Sequence, residues 1–224
     1  MTQPTLGATA QAFVEKVREE AAHAFAVLRE TGTLTANGTV GFIERIPGDK
    51  LVSVNDPGPW KKNGELQAAV TEIDGPGRYN KLFQEHPEVT TISHVHTPSL
   101  GAWAQTHRTL PIRYVPVQRF KLIRELPVYI DRRQQEVDFI LDRLRENPHH
   151  TAIIEANGGA TVWGGKGLLD TAQFILLLEE GARIQIAAEA IGGSRDYGPG
   201  VLAQQYRMSG LTDLARGLGL LPRE

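Results

Sequence analysis

The stretch over residues 151–190 most constrains the fold of this chain. It begins with a short apolar run, residues 151–156, which is typical of a buried strand. Asn157, Gly158 and Gly159 then interrupt the run, and residues 160–163 resume it, so the sequence predicts a turn between two paired strands. A nearly continuous helical pattern follows over 170–190. Paired strands followed directly by a long helix indicate a layered domain, in which a sheet packs against helices.

Helical and strand patterns mix along the rest of the chain without strict βαβ alternation. The spacing of apolar residues predicts strands over 38–45, 51–54, 89–96 and 110–115, and helices over 9–29, 79–84 and 132–146, with a further helix starting at Pro98. No Pro-, Gly- or Ser-rich linker divides the chain, so we expect one α/β or α+β domain over residues 1–224. Residues 192–224, punctuated by Gly and Pro, form a C-terminal tail without an assigned structure.

Charge, cysteine content and hydropathy exclude several classes of function. The chain has 24 Lys and Arg against 26 Asp and Glu, and this net charge of -2 gives no support for binding nucleic acid. It has no cysteine, so any metal must take nitrogen and oxygen ligands. No apolar run approaches the ~18 residues of a membrane span, and the first residues lack the pattern of a signal peptide. We therefore expect a soluble, cytoplasmic protein without nucleic-acid or membrane partners.

His94 and His96 are the clearest candidates for metal ligands. They stand at the end of the strand predicted over 89–96. Side chains alternate faces along a strand, so two histidines separated by one residue point the same way and can bind one ion. A catalytic zinc or iron site takes three protein ligands and keeps open positions for water or substrate. A third ligand must therefore be found.

Three segments of the chain together resemble the class II aldolase and adducin superfamily. They are the strand ending in His94-Val95-His96, the run over 110–114, and the segment over 153–164 that precedes the long helix. The resemblance implies a central mixed or antiparallel sheet flanked by helices, and a homo-oligomer, usually a tetramer, with active sites near subunit interfaces. It also implies a divalent metal ion, Zn²⁺ or Fe²⁺ with Mn²⁺ or Co²⁺ as alternatives, bound by His94 and His96.

The chain departs from the family pattern at two functional positions. Family enzymes place a histidine ligand where this chain has Gly158, and their catalytic glutamate falls near Gly75. Glu72 and Asp74 lie close to that position but out of register. Residues 38–45 also match poorly the residues with which sugar-phosphate aldolases hold a phosphate. The resemblance therefore implies an altered metal site and argues against a phosphorylated sugar as substrate.

Glu155 is the candidate for the third metal ligand. It lies within an otherwise apolar strand, three residues before Gly158, where an unpaired carboxylate would be costly to bury. A metal ion shared with His94 and His96 would satisfy it, and an ion pair with an arginine would explain it equally simply. Two histidines and one carboxylate form the ligand set that favours non-heme Fe²⁺.

Other residues are candidates for binding the substrate and moving protons. The catalytic candidates are Glu155, Asp74 and Tyr114, which can transfer protons near the metal. The substrate-binding candidates are Arg119, whose guanidinium can bind a carboxylate bidentately, and Asn157.

Three functions follow from the sequence and the resemblance. The first is a metal-dependent lyase of the aldolase or decarboxylase type, which cleaves a carbon–carbon bond in a small carbonyl or carboxylate compound. The second is an aldolase-like non-heme iron oxygenase that acts on aromatic 2-oxo acids or phenolic acids. The third is a non-catalytic adducin-like module that has lost the third histidine and the glutamate together with its activity.

Overall fold

The computed structural model describes residues 6–37, 39–48, 50–60 and 66–222. Its helices are α1 (Ala8–Glu30), α2 (Asn80–Glu85), α3 (Pro98–Ala104), α4 (Val115–Gln118), α5 (Glu136–Glu146), α6 (Leu168–Ala190), α7 (Val201–Met208) and α8 (Thr212–Gly217). Its strands are β1 (Val40–Ile46), β2 (Lys50–Asn55), β3 (Ala68–Glu72), β4 (Thr91–Val95), β5 (Leu110–Pro111), β6 (Glu125–Leu126), β7 (Val128–Tyr129), β8 (Ala152–Glu155) and β9 (Ala160–Gly164).

Seven of the strands form one sheet in the order β3-β2-β1-β4-β9-β8-β7. All neighbours pair antiparallel except β7 and β8, which are parallel. Strands β5 and β6 form a separate two-stranded ribbon. The architecture is therefore the predicted one, a mixed, mostly antiparallel sheet with helices. In the described part of the chain, no helix is long and apolar enough to cross a membrane.

The two faces of the sheet pack against different helices. Ile154 belongs to the core that includes buried side chains of α1, α3 and α6, among them Phe25 and Ile175. Its neighbour Ile153 belongs to the core that includes buried side chains of α2 and α5, among them Leu82. Adjacent residues of β8 thus face opposite cores, as the period-2 geometry of a strand requires. The fold is therefore two helical layers with the sheet between them.

Most predicted elements are confirmed, but strands β3, β6 and β7 were not predicted, and three further segments differ from the prediction. The strand predicted over 110–115 is limited to β5, because the chain turns at Tyr114 into the short helix α4, which has Pro116 in its first turn, where proline favours a helix. The helix predicted over 132–146 begins only at Glu136. The C-terminal tail contains α7 and α8, which the sequence did not predict.

The tail packs against the end of α4 through a small apolar cluster of its own. Tyr206 is fully buried in that cluster together with Leu122 and Ala215. Its hydroxyl accepts a hydrogen bond from Gln118 Nε2 (2.9 Å) and donates one to the carbonyl of Lys121 (3.1 Å). The tail is thus anchored through α7 rather than through the sheet.

Candidate metal centre

Strand geometry brings His94, His96 and Glu155 together on one face of the sheet. His94 lies two residues after Ile92, and Glu155 two residues after Ile153, so both side chains point towards the layer of α2 and α5. His94 Nε2 lies 3.1 Å from His96 Nε2 and 3.2 Å from Glu155 Oε2, and His96 Nε2 lies 3.6 Å from the same oxygen. Three donor atoms that converge in this way can hold a metal ion.

Glu155 is oriented by its own surroundings. Arg132 forms an ion pair with Glu155 Oε1 through Nη1 and donates a second hydrogen bond, from Nη2, to the carbonyl of Ala156 (3.0 Å). The other carboxylate oxygen, Oε2, is therefore left facing the two histidines. The arginine partner that the sequence left open is therefore present, while metal binding by Glu155 stays a prediction.

Gly158 provides the space that the Glu155 carboxylate occupies. A Cβ atom at position 158 would lie 2.5 Å from Glu155 Oε2, closer than real Cβ contacts come, and 3.0 Å from Glu155 Cδ. Asn157, directly before it, adopts a left-handed backbone conformation with φ of 58°, and this forms the tight turn between β8 and β9. The Glu155 carboxylate thus occupies the space beside position 158, where the family resemblance implies a histidine.

A chain of hydrogen bonds fixes the protonation of His94. Thr161, directly opposite His94 in the pairing of β4 with β9, has its hydroxyl 2.9 Å from His94 Nδ1. The same hydroxyl donates to a carboxylate oxygen of Glu136, so it must accept the hydrogen bond from Nδ1–H of His94. The proton of the neutral imidazole then resides on Nδ1, and Nε2 presents its lone pair towards His96 and Glu155. Such outer partners orient histidine ligands in metal sites.

Two arginines, one further carboxylate and one phenol surround the three candidate ligands. Arg78 forms an ion pair with Glu136 and lies 3.7 Å from Glu155 Oε1, while Arg132 pairs with Glu155. Tyr79 Oη also donates to Glu136 (3.0 Å), and burial raises the pKa of this phenol, so it stays protonated. The cluster is thus hydrogen-bonded around both carboxylates.

The local electrostatics suit metal binding. Burial is the main cause that lowers the pKa of His94, which favours the neutral imidazole that a metal needs. Burial alone would raise the pKa of Glu155, but His94, Arg132 and Arg78 together hold it below its usual value. The predicted ligands are therefore a neutral histidine and an ionised carboxylate, the forms that bind cations.

A cavity of about 340 Å³ opens beside His94. Its described lining includes apolar side chains of β1 and β4, Val40, Ile43 and Ile92, and the polar groups of Asn55, Arg78 and His94. This volume is in the usual range for a small-molecule site. The candidate metal centre therefore has room for a ligand next to it.

The other predicted site residues lie elsewhere in the molecule. Tyr114 caps α4 and donates to Glu180 (2.8 Å), and Arg119 binds Gln205 of α7 (2.9 Å). Asp74 is exposed in the turn after β3. Asn157 neighbours Gly158, yet its amide hydrogen-bonds outwards to His107 and Gln105. Within the described residues, none of the four forms a recorded contact with the three candidate ligands.

Four residues around the candidate ligands were missed in the sequence. Thr161 could have been found, because it pairs with His94 once the strands of residues 89–96 and 160–163 are placed side by side. Arg78, Arg132 and Glu136 gave no comparable signal, because they lie at the ends of loops or helices whose docking on the sheet is set by tertiary packing.

Comparison with known proteins agrees with this fold. The model of the Class II Aldolase and Adducin N-terminal domain matches residues 44–186, well over half of the chain. Comparison with curated proteins finds no match. Among solved structures, an L-fuculose 1-phosphate aldolase superposes with a TM-score of 0.67 at 16% identity, covering 86% of this chain and 95% of that one.

Two further solved structures are of YgbL, described as a putative aldolase/epimerase/decarboxylase. The protein from Escherichia coli superposes with a TM-score of 0.68 at 17% identity, covering 86% of this chain and 99% of its own. The protein from Klebsiella pneumoniae gives 0.64 at 20% identity, with 89% and 100% covered. At these identities the likeness shows a common fold. With the family model matched over most of its sheet and its long helix, the chain belongs to the class II aldolase and adducin family.

Proposed function

We propose that this protein is a metal-dependent enzyme that cleaves a carbon–carbon bond in a small carbonyl or carboxylate compound. The observation that carries the proposal is the convergence of His94 Nε2, His96 Nε2 and Glu155 Oε2 beside a cavity large enough for such a compound. Family membership supports lyase chemistry of the aldolase or decarboxylase type. A divalent ion bound there would act as a Lewis acid that polarises a substrate carbonyl or carboxylate.

The chain's own residues prepare this site in three ways. Arg132 holds Glu155 so that one carboxylate oxygen faces the histidines, and Thr161 holds the proton of His94 on Nδ1. The apolar wall formed by the partly buried Ile43 and the buried Ile92 limits water beside His94. Asp74 and Tyr114 stay candidates for proton transfer through loop movement or from a second copy of the chain.

A second candidate function is that of a non-heme iron oxygenase acting on 2-oxo or phenolic acids. The donor set favours it, because two histidines with one carboxylate are the ligands of Fe²⁺ sites that leave positions open for dioxygen and substrate. The position near Gly75, where family aldolases carry an acid/base glutamate, would matter less in such a reaction.

Metal analysis of the purified protein separates these functions. We expect about one bound ion per chain after purification without added metal. His94→Ala and Glu155→Ala should each lower metal affinity by more than the roughly 10–100-fold that loss of an outer partner costs. His86→Ala is the matched control, because this histidine pairs with Glu88 at 2.8 Å and lies outside the cluster.

The identity of the ion decides between the candidates. Zinc, manganese or cobalt would support the lyase, whereas iron together with oxygen consumption on 2-oxo or phenolic acids would support the oxygenase. A protein that binds no divalent ion would be the non-catalytic module instead. Metal retained at full affinity in Glu155→Ala would contradict the role given to Glu155.

A further inference from the structure

The charges around the candidate ligands balance before any metal is counted. Glu136 and Glu155 carry two negative charges, and Arg78 and Arg132, which form ion pairs with them, carry two positive charges. A divalent ion held by neutral histidines and Glu155 would therefore add two uncompensated positive charges beside a largely apolar cavity. Charge in such surroundings is costly unless an opposite charge pairs with it. The site is thus built to receive an anion.

The two arginines differ in how fully their donors are used. Both terminal nitrogens of Arg132 already donate hydrogen bonds, Nη1 to Glu155 Oε1 and Nη2 to the carbonyl of Ala156. Both recorded carboxylate contacts of Arg78 go through Nη2, so within the described residues its Nε and Nη1 donors remain for another acceptor. Arg78 also lines the cavity beside His94, and about half of its side chain is exposed. Arg78 is therefore the arginine that a ligand can reach.

We propose, on the basis of the proposed function, that Arg78 binds the carboxylate of the substrate and that the substrate is a small 2-oxo or 2-hydroxy acid. Arg78 Nη2 lies only 3.7 Å from Glu155 Oε1, and the other oxygen of that carboxylate faces the histidines. A ligand whose carboxylate is bound by Arg78, and whose adjacent oxygen is bound by the metal, fits this short separation. That adjacency is what defines 2-oxo and 2-hydroxy acids.

The cavity also specifies the rest of the ligand. Val40, Ile43 and Ile92 give it an apolar wall suited to an aliphatic or aromatic substituent. A phosphate is a poorer match, because Arg78 is the single cationic side chain among the described lining residues and would face a dianion alone. The buried carboxylate of Asp56, which also lines the cavity, would repel a dianionic phosphate, even though Arg29 pairs with it.

Calorimetric titration of the zinc-loaded protein tests this assignment. The probes are 4-methyl-2-oxopentanoate, its uncharged primary amide and glycerone phosphate. We expect the acid to bind about tenfold or more tightly than the amide, as a charge-assisted bidentate contact requires. Arg78→Gln should remove this preference by weakening the acid alone, and Arg78→Lys should retain part of it.

Arg133→Gln is the matched control. Arg133 is 92% exposed and pairs with Asp131, so its loss should leave both affinities unchanged. Equal binding of acid and amide by the parent protein, unchanged selectivity in Arg78→Gln, or tighter binding of glycerone phosphate would each overturn the assignment. Zinc content is measured in every variant. A parent protein that binds no divalent ion would overturn the proposed function itself, whereas zinc retained without acid selectivity overturns this inference alone.

Discussion

Glu136 connects the candidate ligands to the helical layer beneath them. One of its oxygens accepts the hydroxyl of Thr161, which in turn accepts Nδ1–H of His94. Its other oxygen accepts Tyr79 and pairs with Arg78. A carboxylate is suited to this place because it accepts from every neighbour and has no proton to donate. The lone pair on His94 Nε2 therefore depends on a carboxylate that lies 3.9 Å from Nδ1 and acts through the hydroxyl of Thr161.

Replacing Glu136 by glutamine should weaken metal binding while the three candidate ligands stay in place. The new amide nitrogen must face either Thr161 or the donors of Arg78 and Tyr79. In the first case Thr161 would donate to His94 Nδ1 and move the imidazole proton to Nε2. We expect an affinity loss of roughly 10–100-fold.

Competition with a chelator measures this change. Glu146→Gln on the same helix is the control, because Glu146 pairs only with Arg143 in the recorded contacts of the described chain. Equal zinc affinity in the parent protein and in Glu136→Gln would contradict the hydrogen-bonding role.

The sequence predicted the residues whose position follows from strand geometry. His94 and His96 share a face because they are separated by one residue, and Glu155 stands out as a charge in an apolar strand. Arg78 and Arg132 were not predicted, because each lies in a loop before a helix and nothing local fixes where that loop meets the sheet. Their roles depend on the docking of α2 and α5, which is a tertiary event.

At the level of elements, α6 holds the start of α3 through a single carboxylate. Glu179 lies in the middle of α6 and accepts hydrogen bonds from the backbone amides of Ser99 (2.7 Å) and Leu100 (2.9 Å) and from the hydroxyl of Thr97 (2.5 Å). The first turn of a helix leaves such amides without partners inside the helix. Since α3 begins two residues after His96, this cap also fixes the end of the strand that carries the histidines.

Loss of the cap should destabilise the domain. In Glu179→Ala two buried amides and one hydroxyl lose their acceptor, and we expect the free energy of unfolding to fall by about 2 kcal/mol. Urea denaturation measures this fall in the free energy of unfolding. Glu180→Ala, one position along the same helix, removes a half-exposed contact with Tyr114 and should cost less than about 1 kcal/mol. Equal losses in the two variants would show that Glu179 does not act as a cap.

Short elements set the limit of prediction at this scale. Strands β5, β6 and β7 have two residues each, too few to display an alternating pattern. The tail was unassigned because α7 and α8, with eight and six residues, are too short to repeat a helical pattern, and their position depends on packing around Tyr206. The long helices α1 and α6 and the central strands were predicted because each repeats its pattern several times.

The stability of the whole molecule should depend on the protonation of Glu44. This residue lies on β1, is 5% exposed, and accepts a hydrogen bond from Thr91. Burial raises its pKa to about 7, and Glu20 adds to the rise, while Thr91 and Lys16 oppose it. The folded state therefore holds a proton that the unfolded chain, with a pKa of 4.5, releases earlier.

The free energy of unfolding should consequently fall as the pH rises from 4.5 to about 7. Above about pH 7 Glu44 is ionised in both states and should change the stability little further. Below pH 4.5 both states are protonated and the residue costs nothing. The full difference corresponds to about 3 kcal/mol. Glu44→Gln should remove this pH-dependent loss of stability. The free energy of unfolding of the variant, measured with urea at several pH values, should therefore rise relative to that of the parent protein between pH 4.5 and about 7. The exposed Glu30→Gln is the control, and parallel curves for the parent protein and Glu44→Gln would contradict the assignment.

The surface of the molecule is compatible with the homo-oligomer that the family resemblance implies. Large apolar side chains are exposed at several places, including Ile191 (88%), Phe120 (63%) and Met208 (60%). Phe120 directly follows Arg119 in the chain, and Met208 is the last residue of α7.

Gly158 leaves free the place that the Glu155 carboxylate takes beside the histidines. A Cβ atom at position 158 would lie 2.5 Å from Glu155 Oε2 and 3.2 Å from its Cγ, so any larger residue there has to displace this carboxylate. A side chain at position 158 and the present Glu155 carboxylate therefore compete for one place. The histidine pair has room for one further candidate ligand, which position 155 or position 158 can supply, but not both in the present arrangement.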